Sequence, residues 1–99
     1  MQVYIKIHFS ENRKVVAICD QNILGKTFSE GEKQLVVSER FFKGELVEFN
    51  ASWKNELYDA DSINFVGRDA IFIGLNFGMI NKEEVLTIEN VPYALVINA

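Results

Sequence analysis

The sequence predicts an α+β domain: a mostly antiparallel sheet of five to six strands, one main covering helix and one short helix. Three observations predict it. The amino terminus alternates apolar and polar residues, short β-rich runs separated by turn residues recur along the chain, and one stretch alone carries apolar residues at helical spacing over several turns.

In residues 1–9, MQVYIKIHF, the alternation places Val3, Ile5, Ile7 and Phe9 on the core side of a strand and Gln2, Tyr4, Lys6 and His8 on the other. Ser10-Glu11-Asn12 suits a hairpin connection. Residues 14–19, KVVAIC, are apolar on both sides, as a central strand would be, so the first two strands pair antiparallel and the second ends at Cys19-Asp20. Residues 34–38 and 45–49 read as the next two strands, with a turn or a single helical turn at residues 39–44 between them. Trp53 and Leu57, four apart in an otherwise polar stretch, predict a short surface helix over residues 51–57. Ser62 or Asn64 is read as the cap of a helix over residues 67–80, built on Ala70, Ile71, Leu75 and Met79, with Gly78 as an alternative stop. Residues 85–88 and 93–97 form the last two strands around a Glu89-Asn90 turn, and Pro92, which cannot donate to a ladder, belongs at a strand's start or on an edge.

One domain spans residues 1–99, and area scaling leaves about 5,700 Å² exposed after folding, enough burial for a core without staples. The alternating start is a strand and not a signal peptide, and the lone cysteine, Cys19, cannot form an internal disulfide; both point to the cytoplasm. No apolar run is long enough to span a bilayer, so no membrane association is expected. Fourteen acidic residues against 10 basic give a net charge of −4, which disfavours autonomous binding of duplex nucleic acid, since that needs a basic footprint. Oligomeric state is not encoded in any of these patterns.

The chemistry-bearing residues crowd into residues 17–47. Gly25-Lys26-Thr27 resembles the end of a phosphate loop, but the full motif needs a glycine where Asp20 stands, and a carboxylate there would repel phosphate. Cys19 beside Asp20 suggests a nucleophile; yet His8 is the only histidine available to activate it, and the two are expected on opposite strand faces. One cysteine and one histidine cannot build the usual nitrogen and sulfur shell, so no metal and no cofactor is expected. Lys26, Lys33, Arg40 and Lys43 interleave with Phe28, Phe41 and Phe42 in a way that would suit RNA, but Glu30, Glu32, Glu39 and Glu45 cancel most of that field. Mixed charge with aromatics fits a protein-binding surface better. The candidate binding residues are Asp20, Gly25, Lys26, Thr27, Phe28, Glu39 and Glu45.

Beyond these single motifs, Ala17-Ile18-Cys19-Asp20, Leu24-Gly25-Lys26-Thr27-Phe28, Glu30-Gly31, Val37-Ser38-Glu39, Phe42 and Gly44-Glu45 resemble the signature of a small archaeal family known as domain of unknown function 424. The likeness continues through Asn64, Val66-Gly67, Ala70, Gly78, Ile80, Glu84 and Val91-Pro92. It departs at Tyr93 and Leu95, where the family pattern expects histidine and glutamine, so acid-base chemistry that depends on a histidine there is not open to this chain. The resemblance implies an archaeal cytosolic protein, associated with translation, and no assigned activity. Together the residues and the resemblance point to a non-catalytic interaction module that binds a protein or ribonucleoprotein partner through residues 19–45. The alternative is a small enzyme or ligand-binding protein that uses the same loop, with a pocket enclosed by Asp20, Lys26 and Thr27.

Overall fold

The computed structural model describes residues 1–98. Strands β1 (Gln2–Ser10) and β2 (Arg13–Asp20) form the expected antiparallel hairpin, closed by Glu11 and Asn12 at φ 50° and 65°. Two successive positive φ values define the turn whose twist matches that of the flanking strands. A short hairpin comes next, β3 (Thr27–Glu30) and β4 (Lys33–Val36), then α1 (Glu39–Phe42), β5 (Glu45–Glu48) and α2 (Lys54–Tyr58). The second half contains β6 (Ser62–Val66), α3 (Arg68–Asn76), β7 (Leu86–Ile88) and β8 (Val91–Ile97).

Six strands make one mixed sheet in the order β5-β1-β2-β6-β8-β7; the β2–β6 pair is parallel and every other pair antiparallel. The α+β class and strand number match the sequence reading, with three differences in detail. Residues 62–66 are a central strand and not a cap. Residues 33–36 pair only with residues 27–30, in a separate two-stranded sheet. The main helix stops at Asn76, and Gly78, the alternative stop, sits just beyond it at φ 70°.

Each face of the sheet carries its own core. On one face Val3, Ile5, Val16, Ile18, Ile63 and Phe65 pack beneath Ala70, Ile71 and Ile73 of α3 and Leu57 of α2. On the other, Ala17, Cys19 and Val66 are covered by Val37 and Phe42, with Tyr4, Leu24, Phe28, Leu35 and Tyr93 packed around them. The 21–44 segment is therefore a second cover layer and not a free loop. Phe9, expected in the core from the alternation, lies past the end of the α3 cover and is 75% exposed. Pro92 is the second residue of β8, an interior strand. It pairs with Thr87 of β7, and past the last β6–β8 pair, Val66↔Tyr93, its carbonyl accepts the Gly67 N–H at 2.8 Å. No helix is long and apolar enough to cross a membrane.

The exposure difference between two phenylalanines gives a direct test. Phe65→Ala, at a fully buried site, is expected to cost about 3–5 kcal/mol in urea denaturation, whereas Phe9→Ala stays within about 0.5 kcal/mol of wild type.

Candidate functional site

Asp20 is the one buried charged residue among those described. It ends β2, and its side chain points to the face that carries α3, because its register partner is Val3. There the carboxylate meets the helix start: the Ala70 N–H donates to Oδ1 at 2.9 Å and the Asp69 N–H to Oδ2 at 3.1 Å. These are amides that the first turn of any helix leaves without an internal partner. Gly67, at the N-cap position, has no side chain to supply, so a strand 49 residues before Asp69 in sequence provides the cap. Gly67 has φ 108°, and a Cβ built on it would lie 2.3 Å from Cγ of Asp20. Only glycine leaves room for the carboxylate.

Burial raises the Asp20 carboxyl above its ordinary value of 3.8, and the charge of Asp69 adds to the rise, while the amides of Ala70, Asp69 and Arg68 pull it back. Two adjoining clefts open beside it. One, of about 280 Å³, is lined by Asp20, Asn22, Gly67, Arg68, Glu89 and Asn90; the other, of about 360 Å³, by Gln2, Asp20, Gln21, Asn22, Arg68 and Asp69. Among the described residues, Arg68 brings the only cationic side chain to either cleft. Neither includes Lys26 or Thr27, so these clefts are not the pocket expected from those two residues and Asp20. Asn22, Arg68 and Asn90 were missed in the sequence because three separate turns bring them together.

Lys26 and Gly25 belong to a different construction. Leu24 at φ −58°, ψ 132° and Gly25 at φ 85° form a type II turn, closed by the Lys26 N–H to the Ile23 carbonyl at 3.1 Å. Gly25 N–H donates to the Val37 carbonyl at 2.7 Å, and Val37 N–H to the Lys26 carbonyl at 2.9 Å. With both amides committed to the backbone, the Gly25-Lys26-Thr27 stretch cannot cradle phosphate. The same bonds bring Glu39 to Gly25: its Oε1 is 3.9 Å from the Gly25 Cβ position. Lys26, Thr27 and Glu39 are exposed, and their side chains hydrogen-bond to no described residue. Glu45 stands apart, because pairing with Ile5 puts it on the α3 face.

The aromatic candidates are anchors. Phe28 and Phe42 pack in the Cys19 cluster, and Phe41 stacks on His8 with ring centres 4.8 Å apart. Cys19 is completely buried, and its thiol is pushed up to about 12, first by burial and then by the charge of Asp20. His8 shares the face of Cys19 rather than opposing it, since His8 pairs with Val15 and Tyr4 with Cys19. The two are four residues apart along the strands, and His8 Nε2 lies 2.9 Å from the Phe41 carbonyl. Distance, not facing, separates them.

The model for a protein family of unknown function, DUF424, matches residues 8–99. The chain belongs to this family. A solved structure, that of an uncharacterized conserved protein from Methanopyrus kandleri, superimposes on the DUF424 chain with a TM-score of 0.82 at 22% identity, covering 100% of this chain and 95% of the other. That likeness establishes the fold. Among curated proteins none matches.

Removing the Asp20 carboxylate with Asp20→Ala strands two helix amides and is expected to cost about 1–3 kcal/mol. Gly67→Ala should destabilise as well, through its φ and the clash with Asp20. The native carboxyl holds its proton more tightly than the unfolded one, so the group's contribution to stability falls as pH rises from 3.8 through its raised native value. The stability difference between wild type and Asp20→Asn, followed by denaturation at several pH values, should therefore shrink with rising pH. A thiol reagent should label Cys19 only when denaturant is added; rapid labelling of the native protein would contradict its burial.

Proposed function

We propose that this DUF424 protein is a non-catalytic interaction module, and that Lys26, Thr27 and Glu39 contact a protein or ribonucleoprotein partner. One observation carries the reading. The 21–44 segment uses its backbone amides and its aromatic rings to hold itself on the sheet, and leaves these three polar side chains in solvent with no structural task. Cys19, sealed and held protonated, supports no covalent chemistry at neutral pH. Asp20 is engaged by the helix. The setting we propose, translation in the cytoplasm, is the one the family resemblance implies.

The cleft supports a second reading, a small polar ligand held by Arg68 and Asn22 beside Asp20. It differs from the loop-centred pocket, because Lys26 and Thr27 take no part.

Affinity purification with wild type and with Lys26→Ala/Glu39→Ala separates the two. Loss of specific partners from the double variant, with unchanged thermal stability, is the expected result. Identical partner sets would remove the loop's role, and loss of partners only with Arg68→Ala would favour the cleft.

A further inference from the structure

The sheet is covered unequally. On the face opposite α3, the cover of residues 21–44 lies over Cys19, Ala17 and Val66 but stops short of the other end of the strands. The register gives what lies open there. One row across the sheet reads His8, Val15, Ser62, Ile97; in the next, Lys6, Ala17, Asn64, Leu95, Ala17 is buried under the cover and Leu95 lies open. Leu95 is 55% exposed and Ile97 73%, on the part of β8 that runs past the β7 ladder and forms the edge of the sheet. Since α1 lies over β1 at Lys6 and His8, the open strip runs from β2 to β8, two strand spacings or about 10 Å, the diameter of one helix.

The charge on the open part of this face is opposite to that of the molecule. Arg13 lies beyond Val15 on the same side of β2; Lys6 donates to the Arg40 carbonyl at 2.7 Å, which sets α1 and Arg40 along the β1 border. Among the described residues of β1, β2, β6 and β8, the register puts no carboxylate on this face. The guanidinium groups of Arg13 and Arg40 have no ion-pair partner among the described residues. A chain of net charge −4 thus keeps a cationic border beside its exposed aliphatic strip.

We propose that this open half-face docks an acidic amphipathic helix of a partner protein. Its apolar side would cover Val15, Leu95 and Ile97, and its carboxylates would meet Lys6, Arg13 and Arg40. Aliphatic floor residues favour this occupant over single-stranded RNA, whose bases need exposed ring planes to stack on. Of the two rings at the border, His8 and Phe41 already lie against each other, 14° from parallel. The surface is separate from Lys26, Thr27 and Glu39, and does not depend on their role.

The test is a titration of isotope-labelled protein with a synthetic amphipathic peptide that carries leucines on one side and glutamates on the other. Amide shifts centred on Val15, Asn64, Leu95 and Ile97 are expected. Arg13→Glu/Arg40→Glu and Leu95→Ser/Ile97→Ser should each weaken binding at least tenfold while circular dichroism confirms the fold, and Lys26→Ala/Glu39→Ala should leave it unchanged. The proposal fails if the peptide shifts none of these amides, if a lysine-for-glutamate peptide binds equally well, or if oligouridylate binds this face more tightly. It also fails if the protein sediments as a dimer that Leu95→Ser/Ile97→Ser converts to a monomer.

Discussion

The contact between the Asp20 carboxylate and the amides of Asp69 and Ala70 is the constraint around which the rest of the molecule is arranged. β2 and β6 run parallel and end together, so the terminus of one strand and the helix that succeeds the other are neighbours by topology. An unpaired helix start buried at that junction would be costly, and a carboxylate is the strongest acceptor the chain can offer it. The arrangement in turn dictates a residue without a side chain at position 67 and fixes where α3 crosses the sheet. It also places the two clefts, since both share Asp20, Asn22 and Arg68.

The same geometry explains why the most motif-like stretch of the chain does not form a phosphate loop. Its glycine makes a turn, its lysine amide closes that turn, and its phenylalanines fill the space above Cys19. What remains free is a set of side chains of both charges, on a layer that gives the sheet a second buried face. A fold of this size gains stability from closing both faces, yet this chain leaves Leu95 and Ile97 on one face exposed.

Much of the fold was legible because local pattern and tertiary position agree. The alternation of Val3, Ile5 and Ile7 is the register of β1, and the unbroken apolar run of β2 reflects cover on both faces. The failures have physical causes. Ser62 and Asn64 carry cap-like side chains but alternate with Ile63 and Phe65, and that period of two, ending at Gly67, was the available sign of a strand. Residues 27–30 are too short and too polar to announce a strand. Phe9 obeys the alternation, but the helix layer does not reach it. The cap at Asp20 and the cleft with Arg68 join residues about fifty apart, and no local signal encodes such a meeting. For the candidate residues, chemistry was visible and allocation was not: nothing in the sequence tells that Asp20 serves a helix while Lys26 serves nothing inside the fold.

Glu30 and Glu89 fasten the β3–β4 hairpin to the β7–β8 turn from both sides. Ser29 N–H donates to Glu89 Oε2 at 2.5 Å, and Glu89 N–H to Glu30 Oε1 at 2.9 Å. The hairpin is thus held at its base by Gly25 and Val37 and at its tip by this reciprocal pair, like a strap buckled at both ends. Glu89 and Asn90 also line the cleft beside Asp20, so the turn that ties down the cover layer is part of the cleft's rim.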